Sequence, residues 1–406
     1  MQALKSLFSP SSPFRLHKFP TKKPTKSFLS LFSNLSSPTK TKTKTKTKPK
    51  TPFSNSTIIN YLTNTLKFSK TQALSISTRF YYVKSTEKPQ SVVLFLQNLG
   101  FSETQIRSAV RVSPHILFSD IDKTLKPKIE FFQQLGFVGS DLGKFISKNS
   151  TLLSVSLERR LIPCVEILKK ILCNNENNQC LLRVLRRCNG VVKGDPESRL
   201  LGNIAYLKRC GIVGSQLSML LTRQPWLFVI QENKLRGLVS RVLDMGFVVN
   251  SRMLVYAVYT VSCMSHETFM RKLDFIQSSG FSSDECMEMF RKAPGLLRAS
   301  EEKLKLGIEF FMNTIKLERS VLIRLPSCLM FSMEERVIPR YRVLQIMKSK
   351  RLLKKEPSFL HMLNLTEEVF LTKFIAKFSD HTEELLVAYK GHLLDSSSED
   401  ETLICV

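Results

Sequence analysis

The chain has 406 residues, 43% of them hydrophobic, and carries 61 Lys and Arg against 34 Asp and Glu, a formal charge of +27 at pH 7. That much apolar side chain excludes a wholly disordered chain, and so large a cation excess implies an anionic partner or an anionic address. Nine cysteines form no Cys-x-x-Cys pair and six histidines are scattered, which leaves a zinc site or a disulfide framework without support.

The first 86 residues contain no Asp or Glu but 16 Lys or Arg among many Ser and Thr. This is the composition of an import leader for a mitochondrion or plastid, expected to be removed or disordered. Within it, TKTKTKTKPKTP at 41–52 reads as a self-repelling extended spacer, or as a solvated tail that binds polyanions without specificity. Arg79 stands before the aromatics Phe80, Tyr81 and Tyr82, as at many mitochondrial processing sites, and favours mitochondrion over chloroplast. From Glu87 onward 45 basic residues face 34 acidic ones, so the folding part is itself basic. Its uncharged stretch at 253–265 has 13 residues, too few for a transmembrane helix. Most cysteines there sit among apolar neighbours and read as reduced core residues, which suits an organelle interior.

Beyond the leader the sequence repeats. Breaks fall at Pro114, Ser150, Asn189, Pro225, Val261, Pro294 and Pro326, 32 to 39 residues apart, a period typical of stacked repeat units. Fourteen or fifteen residues before five of them stand Gly100, Gly136, Gly211, Gly246 and Gly280. Each glycine reads as a helix stop, because the residue just past a helix adopts a left-handed conformation that strains a side chain. Before the stops, apolar residues recur at i, i+4 and i+7: Leu125, Ile129, Phe132; Leu200, Ile204, Leu207; Leu235, Val239, Val242; Phe269, Leu273, Ile276; Leu304, Ile308, Phe311. After them a second face follows, as in Ile106, Ala109, Val110 or Cys286, Met289, Phe290. Two amphipathic helices per unit are predicted. The proline then ends the second helix and starts a short third element, such as Trp226-Leu227-Phe228, with Trp226 expected in the core. The predicted fold is an all-α, right- or left-handed superhelical solenoid of seven to eight three-helix units over 87–394. An acidic disordered tail, 395–406, is expected to follow.

The recurring break, the Leu-Gly-Phe stop at 99–101 and 135–137 and the period together resemble the mitochondrial transcription termination factor (mTERF) family, which is expanded in plants. Val337, Ile338, Pro339 and Arg340, followed by Val343 and Leu344, look like that family's closing segment, as does the run at 365–378. Asn189, Val261 and Lys316 depart from the pattern. The resemblance implies a superhelix with a basic groove for nucleic acid, and roles in organellar transcription, RNA splicing or ribosome assembly. The expected partner is organellar DNA or RNA, with organellar transcription or splicing proteins besides. The protein is expected to be a monomer off the membrane, without cofactor, metal or catalytic residues.

If successive units track one phosphate backbone, cations should recur at one position per unit. Two residues before the break stand Lys148, Arg187, Arg223, Lys292 and Arg324, with Arg111 offset by one and the fifth unit lacking one. The helix dipole favours the same row by about 0.3–1 kcal/mol per cation with no ligand at all. Denser clusters are Arg183, Arg186 and Arg187 on one helical turn, and Arg336, Arg340, Arg342, Lys348, Lys350, Arg351, Lys354 and Lys355; either is also readable as a solvated face. Tyr256 and Tyr259 are candidates for stacking on a base. A protein-binding scaffold and a pentatricopeptide-type RNA reader are the alternatives. The proline-initiated third element argues against the second.

Overall fold

The computed structural model describes residues 55–172 and 178–397. The Thr-Lys spacer, the rest of the leader before residue 55 and the tail beyond 397 lie outside them. Among the described residues there are helices and no strands. They form two compact units, one running to Arg340 and the other beginning at Tyr341.

In the larger unit the predicted three-part repeats stack in series. The fourth is representative: a first helix Leu201–Arg209, a second helix Gly214–Arg223, and a 3-10 helix Pro225–Phe228. All five predicted first-helix triplets are buried, and so are the second-helix faces. Gln224 is extended at φ −136°, ψ 63°, and the residues before Pro114, Pro294 and Pro326 adopt the same geometry. The proline ring disfavours the α region at the preceding residue, and the second helix stops there. Where proline is absent, a polar side chain ties the break to the unit before. Buried Ser150 Oγ donates to the Ala109 carbonyl at 2.7 Å, and Asn189 bonds Asn149.

Four first helices open with a π turn, Ile121–Leu125, Leu157–Leu161, Pro196–Leu200 and Met333–Val337. Three of them are followed by Pro127, Pro163 or Pro339 one residue into the α-helix, whereas Pro196–Leu200 opens on a proline and has none after it. Proline has no N–H to give and its ring crowds the carbonyl four back. The residue before it therefore bonds five back instead, as Lys126 does to Ile121.

The stop glycines do more than end a helix. All five have φ between 82° and 108°. At Gly211 an added Cβ would lie 2.6 Å from the Asn250 Cα of the next unit, and at Gly246 it would lie 3.2 Å from Arg291 Cδ. At Gly211 the following unit docks on the stop with its backbone, so glycine is required there by contact as well as by conformation, whereas Gly100 has open space beside it.

Four expectations change. The fifth unit has no third helix: Val261 lies inside the second helix Leu254–Ser262 rather than at a break. Trp226 is 38% exposed instead of buried, while Leu227 and Phe228 beside it are core. Helices Ser56–Asn64, Lys70–Ser77 and Thr78–Phe80 lie within the stretch read as leader. The acidic tail starts helical, because Thr382–Ser397 runs into it.

The smaller unit holds the rest of the helix Ile338–Ser349, then Phe359–Asn364, Glu367–Leu371, a π turn Thr372–Ala376 and Thr382–Ser397. Its core is Val343, Met347, Met362, Leu363, Phe370, Ile375 and Leu385. Phe370 lies 5.4 Å from both Phe374 and Tyr389.

Candidate nucleic-acid interface

The second helix of the third unit, Gln179–Arg187, has Leu181, Leu182, Val184 and Leu185 buried and Arg183, Arg186 and Arg187 exposed. Spacing alone dictates this, since the arginines occupy i, i+3 and i+4 opposite the leucines. The structure gives the three different occupations. Arg183 has no hydrogen-bond or ion-pair partner among the described residues. Arg186 Nη2 pairs with Asp141 Oδ2 at 2.6 Å, and its guanidinium lies 5.2 Å from the centroid of the Phe137 ring. Arg187 Nη1 donates to the carbonyls of Thr222 and Arg223, at 2.9 and 3.2 Å.

Those carbonyls end the second helix of the next unit, so Arg187 caps a neighbour's negative helix end. Lys292, three units along, does the same to its own neighbour, donating to the Ile323 carbonyl at 3.2 Å while paired with Glu288 at 2.5 Å. The row two residues before the break is thus partly a capping ladder between units. Lys148 and Arg324, also exposed, make no such bond among the described residues.

In the fifth unit a ring stack stands where the cation and its cap would be. Tyr259 occupies the row position, with Arg223 at 5.5 Å and Arg298 at 4.5 Å from its ring centroid. Arg298 was not singled out from the sequence. It closes the 3-10 helix Pro294–Arg298, which packs against the second helix of the fifth unit. Around this stack Trp226 Nε1 donates to Gln224 Oε1 at 2.7 Å, Gln224 Nε2 donates to Cys263 Sγ at 2.9 Å, and Tyr256 is exposed.

The second cluster is divided. Arg340 is fully buried and so cannot present its guanidinium to a phosphate, which corrects its assignment. Arg336 is half-buried over Phe331 at 4.8 Å. In the smaller unit Lys350 pairs with Glu384 at 2.7 Å and Lys348 with Glu356 at 2.5 Å. Arg342 and Arg351 are exposed there, with Lys354 and Lys355.

Further cations are spent inside the fold. Lys128 Nζ donates to the Leu153 carbonyl at 2.6 Å and Lys303 Nζ to the Met330 carbonyl at 2.7 Å, each tying a first helix to the third helix of its own unit. Lys272 reaches the Ala299 carbonyl in the same way. Burial pushes the pKa of all three below the ordinary lysine value. In the fourth unit a neutral Asn203 does this work, donating to Leu227 and Ile230.

The mTERF family model matches residues 93–225 and 177–371, together more than two thirds of the chain. Two curated relatives are described as chloroplastic transcription termination factors of Arabidopsis thaliana. MTERF8 is 24% identical over 65% of this chain and 51% of its own length, and MTERF4 is 28% identical over 26% of this chain and 19% of its own. The chain spans about half the length of the first and a fifth of the second. With the serial three-helix units, the proline breaks and the glycine stops in place, the chain belongs to the mTERF family.

Proposed function

We propose that this protein regulates organellar gene expression by binding double-stranded DNA or structured RNA through cations on its repeat array. The observation that carries the reading is Arg183: an exposed guanidinium, without a partner among the described residues, on a turn whose other two arginines are held in place by Asp141 and by the carbonyls of Thr222 and Arg223. Held cations are pre-ordered, and Arg187 uses only one nitrogen of its fork for both carbonyls, so further donors remain for a phosphate. Arg183, Arg186, Arg187, Lys148, Arg223 and Arg324 form the contact set, with Lys292 contributing through its charge. Such contacts position a nucleic acid and carry no sequence information by themselves. Termination of transcription and assistance to splicing are both outcomes of binding of this kind. The relatives' description as chloroplastic favours the plastid over the mitochondrion that the Arg79 context suggested.

The test is fluorescence anisotropy with a labelled duplex and a labelled RNA hairpin across a salt series. Log affinity is expected to fall linearly with log salt, by about 0.9 per neutralised phosphate on duplex DNA. A flat dependence on both ligands would remove the mechanism.

A second reading, a protein-binding scaffold, is supported by three valines at one repeat position. Val138, Val213 and Val248 directly follow the stop motif's buried residue and are 64%, 52% and 70% exposed. Partners that stay on the protein after nuclease treatment would favour this reading.

A further inference from the structure

The sequence places a processing site beside Arg79, which would discard everything before it. The structure places Arg79 inside a folded layer. Asn55 starts the helix Ser56–Asn64 by accepting from the Ile58 amide, and its Nδ2 also donates to the carbonyls of Phe80 and Val83, tying the two ends of the segment together. Ser69 and Gln72 form a reciprocal cap on Lys70–Ser77. Ile58, Leu62, Ala73 and Phe80 are at most 1% exposed.

This layer packs on the first repeat much as one repeat packs on the next. Arg107, in the second helix Glu103–Val112, donates Nε to the Leu66 carbonyl at 2.7 Å. The Phe80 ring lies 4.3 Å from Phe118 and edge-on to His115 at 5.1 Å, both in the 3-10 helix Pro114–Phe118. A solenoid needs an end layer of this kind, because its first repeat otherwise leaves one side of its core in water.

We propose that residues 55–83 are the permanent N-terminal cap of the working protein, and that the import leader is cut upstream of Asn55. The proposal rests on reading the N-terminal stretch as a leader, and is independent of what the repeats bind. Cutting is hydrolysis of one amide bond: water supplies the hydroxyl of the new carboxyl group and the proton for the new amine. A peptidase needs its substrate extended, whereas the Arg79 peptide is helical and its neighbour Phe80 is buried.

The full-length precursor and its R79Q variant are incubated with mitochondrial matrix extract and with plastid stroma, and the new N-terminus is read by mass spectrometry. The expected product begins at or before Asn55 and is the same for R79Q. A product beginning between Ser56 and Glu87, loss of cutting in R79Q, or no cutting in either extract overturns the proposal. Brief trypsin digestion of the purified precursor checks the cap directly. Trimming is expected to stop at Lys50, leaving the bonds after Lys67, Lys70 and Arg79 intact at a dose that removes the spacer. Equal cutting at those three overturns the cap, whatever the peptidase does.

Discussion

Arg183 and Arg187 are separated by one helical turn and differ in whether the protein already uses them, so a pair of alanine substitutions separates binding from architecture. Arg183 is exposed and has no partner among the described residues, so Arg183→Ala should change stability by no more than about 0.5 kcal/mol. If it neutralises one phosphate, counterion release of about 0.9 per contact corresponds to about 1 kcal/mol at 0.15 M salt, roughly a fivefold loss of affinity. The salt slope should become shallower by about 0.9. Arg187→Ala removes two charge-assisted bonds to Thr222 and Arg223. Because these are exposed, about 1 kcal/mol of stability is expected to go with them, lowering the melting temperature by about 2–4 °C. Thermal denaturation followed by circular dichroism gives the stability, and anisotropy on one duplex and one RNA hairpin at four salt concentrations gives the slope. Unchanged affinity and slope for Arg183→Ala on both ligands would refute the assignment of this turn to the interface. A melting temperature that falls more for Arg183 than for Arg187 would refute the geometry itself.

Lys128→Met deletes a buried donor and leaves the Leu153 carbonyl without its bond; a loss of about 1–3 kcal/mol is expected in denaturant titrations with an unchanged m-value. Gly211→Ala and Gly100→Ala share a left-handed backbone, worth about 1–2 kcal/mol each. Only the former also meets the Asn250 Cα at 2.6 Å, so its melting temperature should fall clearly further, and equal losses would disprove docking on the stop. Burial raises the thiol pKa of Cys164 and Cys286 to about 11 and of Cys328 to about 12. At pH 8 these three should resist a thiol reagent until the protein unfolds, while Cys263, whose pKa is also raised by its surroundings but whose side chain is exposed, reacts before them; mass spectrometry of labelled peptides reads the order.

The repeat itself was legible because two of its markers are dictated by backbone sterics. Proline disfavours helix at the residue before it, and a left-handed stop selects glycine, so both markers show in a single sequence whatever packs around them. The apolar triplets were legible for the same reason: Leu125, Ile129 and Phe132 share a face by helical period alone, and all are buried. What packs against those positions was not legible. Nothing local shows that Lys128 turns inward to a carbonyl while Lys148 stays in solvent, or that Arg340 is enclosed while Arg342 is not. Composition counted all these cations alike. The fifth unit misled for a related reason, since alignment by period assigns a break to Val261 although no proline, serine or asparagine stands there to enforce one. The segment at 55–80 was hidden by its composition: without acidic residues it matches an import leader, yet Ile58, Leu62 and Phe80 carry enough apolar surface to fold against the first repeat.

Because the fifth unit lacks its short third helix, the 3-10 helices that touch across neighbouring units elsewhere form two separate files. One ends at Pro225–Phe228 and the other starts at Pro294–Arg298, with the Arg223, Tyr259 and Arg298 side chains filling the gap. An assembly of like segments yields first where a layer is thinnest. Mechanical compliance is therefore expected to concentrate between Ser262 and His266, where a change of pitch would leave the packed segments on either side intact.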